Sequence, residues 1–285
     1  MASRHEGTKS GRRSLRAALV VIVLAIVLGA CAAANRSAVE SFISQLFGPP
    51  AVELREVYKD KPDGPSFDHS ALDTLLKKHV DANGWVDYAA IKADARTLDE
   101  YLAAVETAPL DELGRSPRLA FLLNAYNAFT IKLIVEHYPV DSIRDIPDAW
   151  DLVRWEVGGH TWSLNQIEHE QIRPAFVEPR IHFALVCAAA GCPPLRNEAF
   201  AAEHLEEQLE TQTAFVHNHA SWFKFEKQKN RVGLTKLYQW YGADFTQVSG
   251  SVLKYAGNFN ADLKAQLDKG REPGIDWLPY DWSLN

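Results

Sequence analysis

The sequence lacks an excess of basic side chains: Lys and Arg number 30 against 37 Asp and Glu, which gives a net charge of −7. Residues 1–30 carry five basic side chains and one acidic one, so the remainder has a charge of −7 − 4, or −11. An acidic domain repels nucleic-acid phosphates and anionic lipid headgroups. We therefore expect no nucleic-acid partner.

Motifs of several enzyme classes are also missing. The chain has no P-loop, no dinucleotide-binding fingerprint, no GxSxG nucleophile elbow and no HExxH zinc motif. The sequence therefore gives no support to those classes, and we predict no cofactor.

The apolar run near the N-terminus is too short for a typical membrane-spanning helix. It covers residues 17–30 and is preceded by Arg12, Arg13 and Arg16, whereas a spanning helix needs about 20 apolar residues. A short apolar run after basic residues is typical of an export signal. We predict a cleaved lipoprotein signal peptide over residues 1–30, and a retained membrane anchor is the alternative.

The apolar run ends in Leu28-Gly29-Ala30 and is followed by Cys31. An aliphatic residue and two small residues before a cysteine resemble a lipobox, in which the cysteine becomes the lipidated N-terminus. Several acyl chains would hold the protein at a membrane stably. We predict lipidation of Cys31, a tether over residues 31–65, and a location in the cell envelope facing the periplasm or the exterior.

Residues 66–285 are predicted to form one α+β domain, with helices packed around a small, mainly antiparallel sheet. The strongest helix signal begins at Ser116-Pro117 and continues with apolar residues nearly all round, which predicts a central buried helix. Ser163 and Gln166 form a capping-box pattern at the start of a second helix. A third helix is predicted over residues 197–217.

The strand signals are short and lie between these helices. Gly158-Gly159 separates two β-prone segments, which predicts a hairpin over residues 154–162, because both turn residues tolerate positive φ. A second hairpin is predicted over residues 222–234. The apolar run at 181–186, bounded by Pro179, predicts a buried strand.

Five segments together resemble the domain-of-unknown-function family 547 (DUF547). They are LLNAYNAFTIKLI, SLNQIEHEQIRPAF, EPRIHFALVCAAAGCPPLR, LYQWYGADF and LPYDWSLN. The resemblance covers residues 67–285 and implies matching His, Cys and Glu positions within these motifs. It implies no general activity. Plant proteins with a similar domain lack export signals, so the predicted lipid anchor belongs to this chain and not to the fold.

Three interpretations compete for Cys187 and Cys192, the two cysteines of the predicted domain. They could close as a disulfide in an oxidising compartment. Cys187 could instead be a nucleophile activated by His182 or His169, with Glu168 orienting the ring. A third alternative, a zinc site on these cysteines and histidines, has an unfamiliar ligand spacing, and we predict no metal.

Other polar residues also allow two interpretations. Asn124 and Asn127 share one helix face and either satisfy buried backbone groups or serve as substrate or oxyanion donors. Arg173 and Arg180 could bind a substrate carboxylate or pin a loop. His217 is expected to be solvated.

Several residues near the C-terminal end of the sequence are interpreted as structural packing. They are Trp240, Tyr241, Asp244, Phe245 and the segment 280–285.

Two functions follow from these observations. In the first, the protein is an envelope lipoprotein whose domain binds a peptide, glycan or protein partner, with Cys187 and Cys192 joined as a disulfide. In the alternative, it is a cysteine-dependent hydrolase or transferase acting on amide bonds, with Cys187 as the nucleophile.

Overall fold

Ten α-helices and five short strands occur in the part of the chain that this computed structural model describes: residues 48–58, 61, 64–152 and 154–285. The helices are α1 (Ser70–His79), α2 (Tyr88–Ala93), α3 (Arg96–Glu106), α4 (Arg115–His137), α5 (Leu164–Gln166), α6 (Leu205–His217), α7 (Lys236–Trp240), α8 (Gly242–Ser249), α9 (Val252–Gly257) and α10 (Ala261–Leu267). The strands are β1 (Trp155–Val157), β2 (His160–Trp162), β3 (Phe223–Glu226), β4 (Arg231–Leu234) and β5 (Gly274–Trp277).

The predicted signal peptide, Cys31 and most of the predicted tether lie outside the described residues. Residues 49–58, inside that tether, run along the domain. The Val57 N–H donates to the Ala175 carbonyl at 3.1 Å, and the rings of Tyr58 and Phe176 lie 5.1 Å apart between centroids.

Helix α4 is the centre of the first hydrophobic cluster, as its sequence predicts. It is 23 residues long, and 17 of them are buried on all sides of the helix. Within the described residues it is the one helix long and apolar enough to cross a membrane by composition. Because 89% of its most apolar stretch is buried inside the domain, α4 is accounted for as a core helix.

The strands form two small sheets, and both predicted hairpins are confirmed. β1 pairs with β2 in antiparallel register, with Trp155 opposite Trp162. β3 pairs with β4 in antiparallel register, with Phe223 opposite Leu234. The prediction missed β5, which pairs with β4 in parallel register. The mixture of helices and mostly antiparallel strands confirms the α+β class.

A second hydrophobic cluster lies between the sheet β3–β4–β5 and the helices α7 to α10. The segment Pro179–Phe183 connects the two clusters, because Ile181 belongs to the α4 cluster and Phe183 to the second one. The residues that follow this segment form the loop that carries both cysteines.

The prediction of a buried strand at 181–186 is wrong. Pro179–Phe183 is a 3-10 helix that begins with proline and is capped by the Glu178 side chain. The following backbone bonds to side chains instead of a neighbouring strand: Asn127 bonds Ala184 and Val186. The composition of a short apolar run does not show whether the run pairs as a β-strand or stays irregular, so the sequence pattern was ambiguous here.

The helix predicted over 197–217 is shorter in the structure, where α6 begins at Leu205. A side chain of α4 and one of α6 itself bond the backbone before it. Asn124 binds both polar groups of Phe200, and Gln208 binds Ala199 and Ala201. Those backbone groups are therefore satisfied without helix formation.

Candidate functional site

The two cysteines lie in contact on the loop that follows the 3-10 helix. The Sγ atoms of Cys187 and Cys192 are 2.9 Å apart, and the Cys187 N–H donates to Cys192 Sγ at 3.2 Å. The hydroxyl of Tyr280 lies 3.0 Å from each sulfur. Cys192 is buried and Cys187 is partly buried. Both thiols are free here, since a disulfide bond is about 2.05 Å long, and the disulfide stays a prediction.

The loop over residues 184–192 carries both cysteines, and we call it the cysteine loop. Helix α4 holds the start of this loop through the amide side chain of Asn127. Asn127 Nδ2 donates to the Ala184 carbonyl at 3.0 Å, and the Val186 N–H donates to Asn127 Oδ1 at 2.9 Å. One turn earlier, Asn124 makes the corresponding pair of bonds to Phe200. Each side-chain amide pairs its N–H donor and its carbonyl acceptor with buried backbone groups. This is the first of the two roles that the sequence allowed for Asn124 and Asn127.

The segment 278–285 lies across the cysteine loop. The Gly191 N–H donates to the Asp281 carbonyl at 2.7 Å, and the Ala190 N–H donates to the Ser283 carbonyl at 2.8 Å. A Cβ on Gly191 would lie 2.5 Å from the Asp281 nitrogen. Only glycine permits this approach, and the approach brings the Tyr280 hydroxyl to the sulfurs.

The two thiols differ in acidity because their hydrogen bonds differ. The bond to Cys192, together with burial, raises the pKa of Cys187 well above its usual value. Burial alone would raise the pKa of Cys192 as well, but bonds from the Cys187 thiol and N–H and from the Tyr280 hydroxyl lower it. The first proton lost from the pair therefore leaves its charge on Cys192.

A separate cluster of buried charged groups surrounds Asp244 on α8. Arg173 donates to both carboxylate oxygens at 2.8 Å, and His182 Nε2 lies 2.9 Å from Oδ2. Burial acts to raise the pKa of Asp244, but the bonds from His182 and Arg173 lower it to about 2. Burial acts to lower the pKa of His182, and His182 Nε2 donates to Asp244 because an ionised carboxylate only accepts hydrogen bonds.

Glu168 interacts electrostatically with members of the Asp244 cluster and with the thiols. It is buried, and His169 Nδ1 lies 3.7 Å from its Oε1 atom. Burial acts to raise its pKa, but His169, His182 and a bond from Tyr241 lower it. Its charge acts on Cys187 and contributes to the raised pKa of that thiol. Burial also lowers the pKa of His169.

An open groove of about 250 Å³ passes along one wall of the cysteine loop. We call it the aromatic groove. The residues that line it are Asn83, Gly84, Trp85, Ala189, Ala190, Cys192, Pro193, Pro194, Phe215, His219, Ser221, Trp222 and Asn285. Trp85 is 53% exposed and Phe215 is 38% exposed, although both are large and apolar. Of the two sulfur-bearing residues, Cys192 is the one in the groove lining.

Comparison with protein families supports the motif resemblance. Residues 110–216 match the family model described as "Protein of unknown function, DUF547". The chain carries a DUF547 domain. Neither the curated proteins nor the solved structures give a significant match to the chain.

The DUF547 match contains every candidate residue proposed from the sequence except the lipidation site. The structure brings His182, His169 and Glu168 together around Asp244, and it brings Cys187 to Cys192. It does not join the two sets into a thiol–imidazole pair, because the hydrogen bonds of Cys187 Sγ within the described chain go to Cys192 and Tyr280. The zinc alternative gains no support, since the described residues contain no metal-binding group of three or more His, Cys, Asp or Glu.

Two residues that contribute contacts to this arrangement lie beyond the DUF547 match, and their sequence context had indicated packing. Asp244 joins Arg173 to His182, and Tyr280 joins the two sulfurs. Arg173 therefore binds an internal carboxylate.

Arg180 and His217 also bond to other residues of the domain. Arg180 pairs with Glu178 and Glu206. His217, expected to be solvated, is buried between the Thr213 carbonyl and the Tyr238 hydroxyl.

Proposed function

We propose that this protein is a cell-envelope lipoprotein, anchored through a lipid on Cys31, whose DUF547 domain binds an uncharged segment of an envelope polypeptide in the aromatic groove. The observation that carries the proposal is the exposure of Trp85 and Phe215 on the groove wall. Grouped exposed aromatic side chains are typical of surfaces that bind a partner.

The groove chemistry favours a neutral ligand. None of its lining residues is Asp, Glu, Lys or Arg. Its volume is below the ~300–1,000 Å³ of common small-molecule pockets, so it suits a short surface-bound segment better than an enclosed cofactor. Cys192 in the lining supports a polypeptide over a glycan, because a thiol can react with a sulfur-bearing side chain and has no comparable role toward sugar hydroxyls.

Site-specific photocrosslinking in cells tests the binding proposal. A photoreactive phenylalanine analogue replaces Trp85, and the control places it at Val248, which is 43% exposed and not among the groove-lining residues. We expect polypeptide adducts at position 85 and none at 248. Phe215→Ala should reduce the adduct yield at position 85 by roughly tenfold, as loss of an aromatic anchor does at interfaces.

Protease treatment of the adducts identifies the ligand class. Adducts that resist protease and are removed by glycosidases would replace the polypeptide with a glycan. No adduct at position 85 would refute the groove as a binding site.

The lipid anchor has a separate test. In cells given an alkyne-labelled fatty acid, the wild-type protein should carry the label and stay with the membrane fraction, and Cys31→Ala should lose both properties. Cys187→Ala serves as the matched cysteine control and should keep the label. A labelled Cys31→Ala protein would show that the lipid is attached elsewhere or that the anchor is of another kind.

The amide-hydrolase alternative has less support in this geometry. A cysteine nucleophile needs a base within about 2.6–3.2 Å, whereas His182 bonds Asp244 and the Cys187 thiol bonds Cys192 and Tyr280. The raised pKa of Cys187 also opposes thiolate formation.

A further inference from the structure

We infer that Cys187 and Cys192 form a dithiol that exchanges with a disulfide of the polypeptide bound in the aromatic groove, and that Cys192 is the attacking sulfur. This inference rests on the proposed function, since it names the chemistry of the same groove. It gives a role to the contact between Cys192, which lines the groove, and the Cys187 thiol; polypeptide binding alone does not require this contact.

The loop geometry suits a pair that alternates between dithiol and disulfide. The sulfurs are 2.9 Å apart, so an approach of about 0.9 Å reaches the bond length of a disulfide. Ala188 holds a left-handed conformation with φ 54°, which an alanine adopts only when its surroundings impose it. The Cys192 N–H then donates to the Ala189 carbonyl and closes the turn.

The hydrogen bonds assign different roles to the two sulfurs. Cys192 Sγ receives the Cys187 N–H, and it also lies within hydrogen-bond distance of the Cys187 thiol and the Tyr280 hydroxyl. Donors of this kind stabilise a thiolate, which is the attacking form in disulfide exchange. The titratable groups facing the pair are Tyr88, Tyr126, Glu168 and Tyr280.

The exchange proceeds in two balanced steps. The Cys192 thiolate attacks one sulfur of the partner disulfide, so that a mixed disulfide forms while the second partner sulfur leaves with the electron pair and takes up a proton. Cys187 then loses its proton and attacks Cys192 Sγ, which breaks the mixed disulfide. The remaining partner sulfur leaves as a thiolate and accepts that proton. The partner disulfide is reduced by two electrons, and the Cys187–Cys192 dithiol is oxidised.

The test uses the full lipidated chain in detergent, reduced with dithiothreitol and then freed of it, with oxidised glutathione as the probe. The wild type should form an intramolecular disulfide and release two glutathione molecules. Cys187→Ser should accumulate a glutathione adduct on Cys192, and Cys192→Ser should react about tenfold more slowly. Mass spectrometry resolves all three products.

Two further measurements keep the inference falsifiable if a serine variant folds poorly. Timed iodoacetamide labelling of the reduced wild type should modify Cys192 before Cys187. Tyr280→Phe should move the pH profile of that labelling to higher pH, because it removes one donor to the Cys192 thiolate. Faster labelling of Cys187, or a wild type that stays a dithiol in excess oxidised glutathione, would overturn the inference.

Failure of the inference can be separated from failure of the proposed function. Polypeptide crosslinks at Trp85 without thiol exchange would leave the binding function and remove the redox role. In cells, Cys187→Ser should trap a polypeptide through a reducible bond, and Phe215→Ala should reduce that trapping. Trapping that does not depend on Phe215 would place the exchange outside the groove and would refute the link between them.

Discussion

At the residue scale, one buried carboxylate organises the charged cluster. Asp244 accepts two bonds from Arg173 and one from His182, and the side chains of Asp244 and Arg173 are each 1% exposed. Removing one member of a buried ion pair leaves the other charge without a partner in a medium that solvates it poorly. The cluster therefore stabilises the fold as a unit.

We predict that Asp244→Ala lowers the free energy of unfolding by about 3–5 kcal/mol. Urea unfolding followed by circular dichroism measures the change. The matched control is Glu206→Ala, which removes a carboxylate that is 77% exposed from Arg180. An exposed pair contributes about 1 kcal/mol or less. Equal losses of unfolding free energy in the two variants would show that burial of the Asp244 cluster adds no stability.

The sequence did not reveal this cluster because its members are far apart along the chain. Arg173 and Asp244 are separated by 71 positions, and local patterns carry no information on such a pairing. His217 was misassigned for a related reason. Its ring bonds the Thr213 carbonyl one helical turn earlier, but its burial depends on Tyr238, which lies beyond the following hairpin.

At the element scale, the accuracy of the sequence predictions depended on periodicity and on turn residues. The apolar pattern of α4 and the Gly158-Gly159 turn each determine a local structure, and both predictions are confirmed. The run 181–186 has no period that distinguishes a strand from an irregular segment, and its backbone is held by side chains distant in the sequence, such as Asn127 of α4. β5 pairs in parallel with β4, which lies about forty residues earlier, and no local signal indicates that pairing.

The close packing of segment 278–285 on the cysteine loop yields a prediction for Gly191. A Cβ there would meet the Asp281 backbone at 2.5 Å, so Gly191→Ala must move one of the two segments, at a cost of about 1–3 kcal/mol. Thermal unfolding measures the loss, and hydrogen exchange should show weaker protection in segment 278–285.

Gly242→Ala is the matched control, because the nearest atom to its added Cβ is a Val252 methyl at 3.5 Å, an ordinary contact. It should leave both measurements near the wild-type values. If Gly191→Ala behaves in the same way, segment 278–285 does not depend on close approach at Gly191.

At the scale of the whole molecule, we expect histidines with lowered pKa values to make the fold sensitive to acid. Burial lowers the pKa of His69 and of His217 to about 4, and it also lowers that of His182. In the unfolded chain these groups take up protons near pH 6.5. The unfolded state therefore binds more protons than the folded state between about pH 6.5 and pH 4, and stability falls as the pH falls through that window.

We predict a loss of up to about 1.4 kcal/mol per pH unit for each such histidine, measured by urea unfolding from pH 7 to pH 4. His217→Gln should reduce the slope, and His219→Gln, a change at an exposed position, should not. A slope that is the same in the wild type and in His217→Gln would contradict the assignment of His217 to this effect.

The Asn127 side chain links the loop that carries the two thiols to the hydrophobic core. Its two hydrogen bonds fasten the start of the cysteine loop to α4, the most deeply buried helix of the first cluster. The loop that carries the sulfurs is therefore tied to the hydrophobic core, and we expect it to open less readily than surface segments do. Trp85 and Phe215 on the groove wall are exposed. We therefore expect a rearrangement of Trp85 or Phe215 to leave the spacing of the two thiols unchanged.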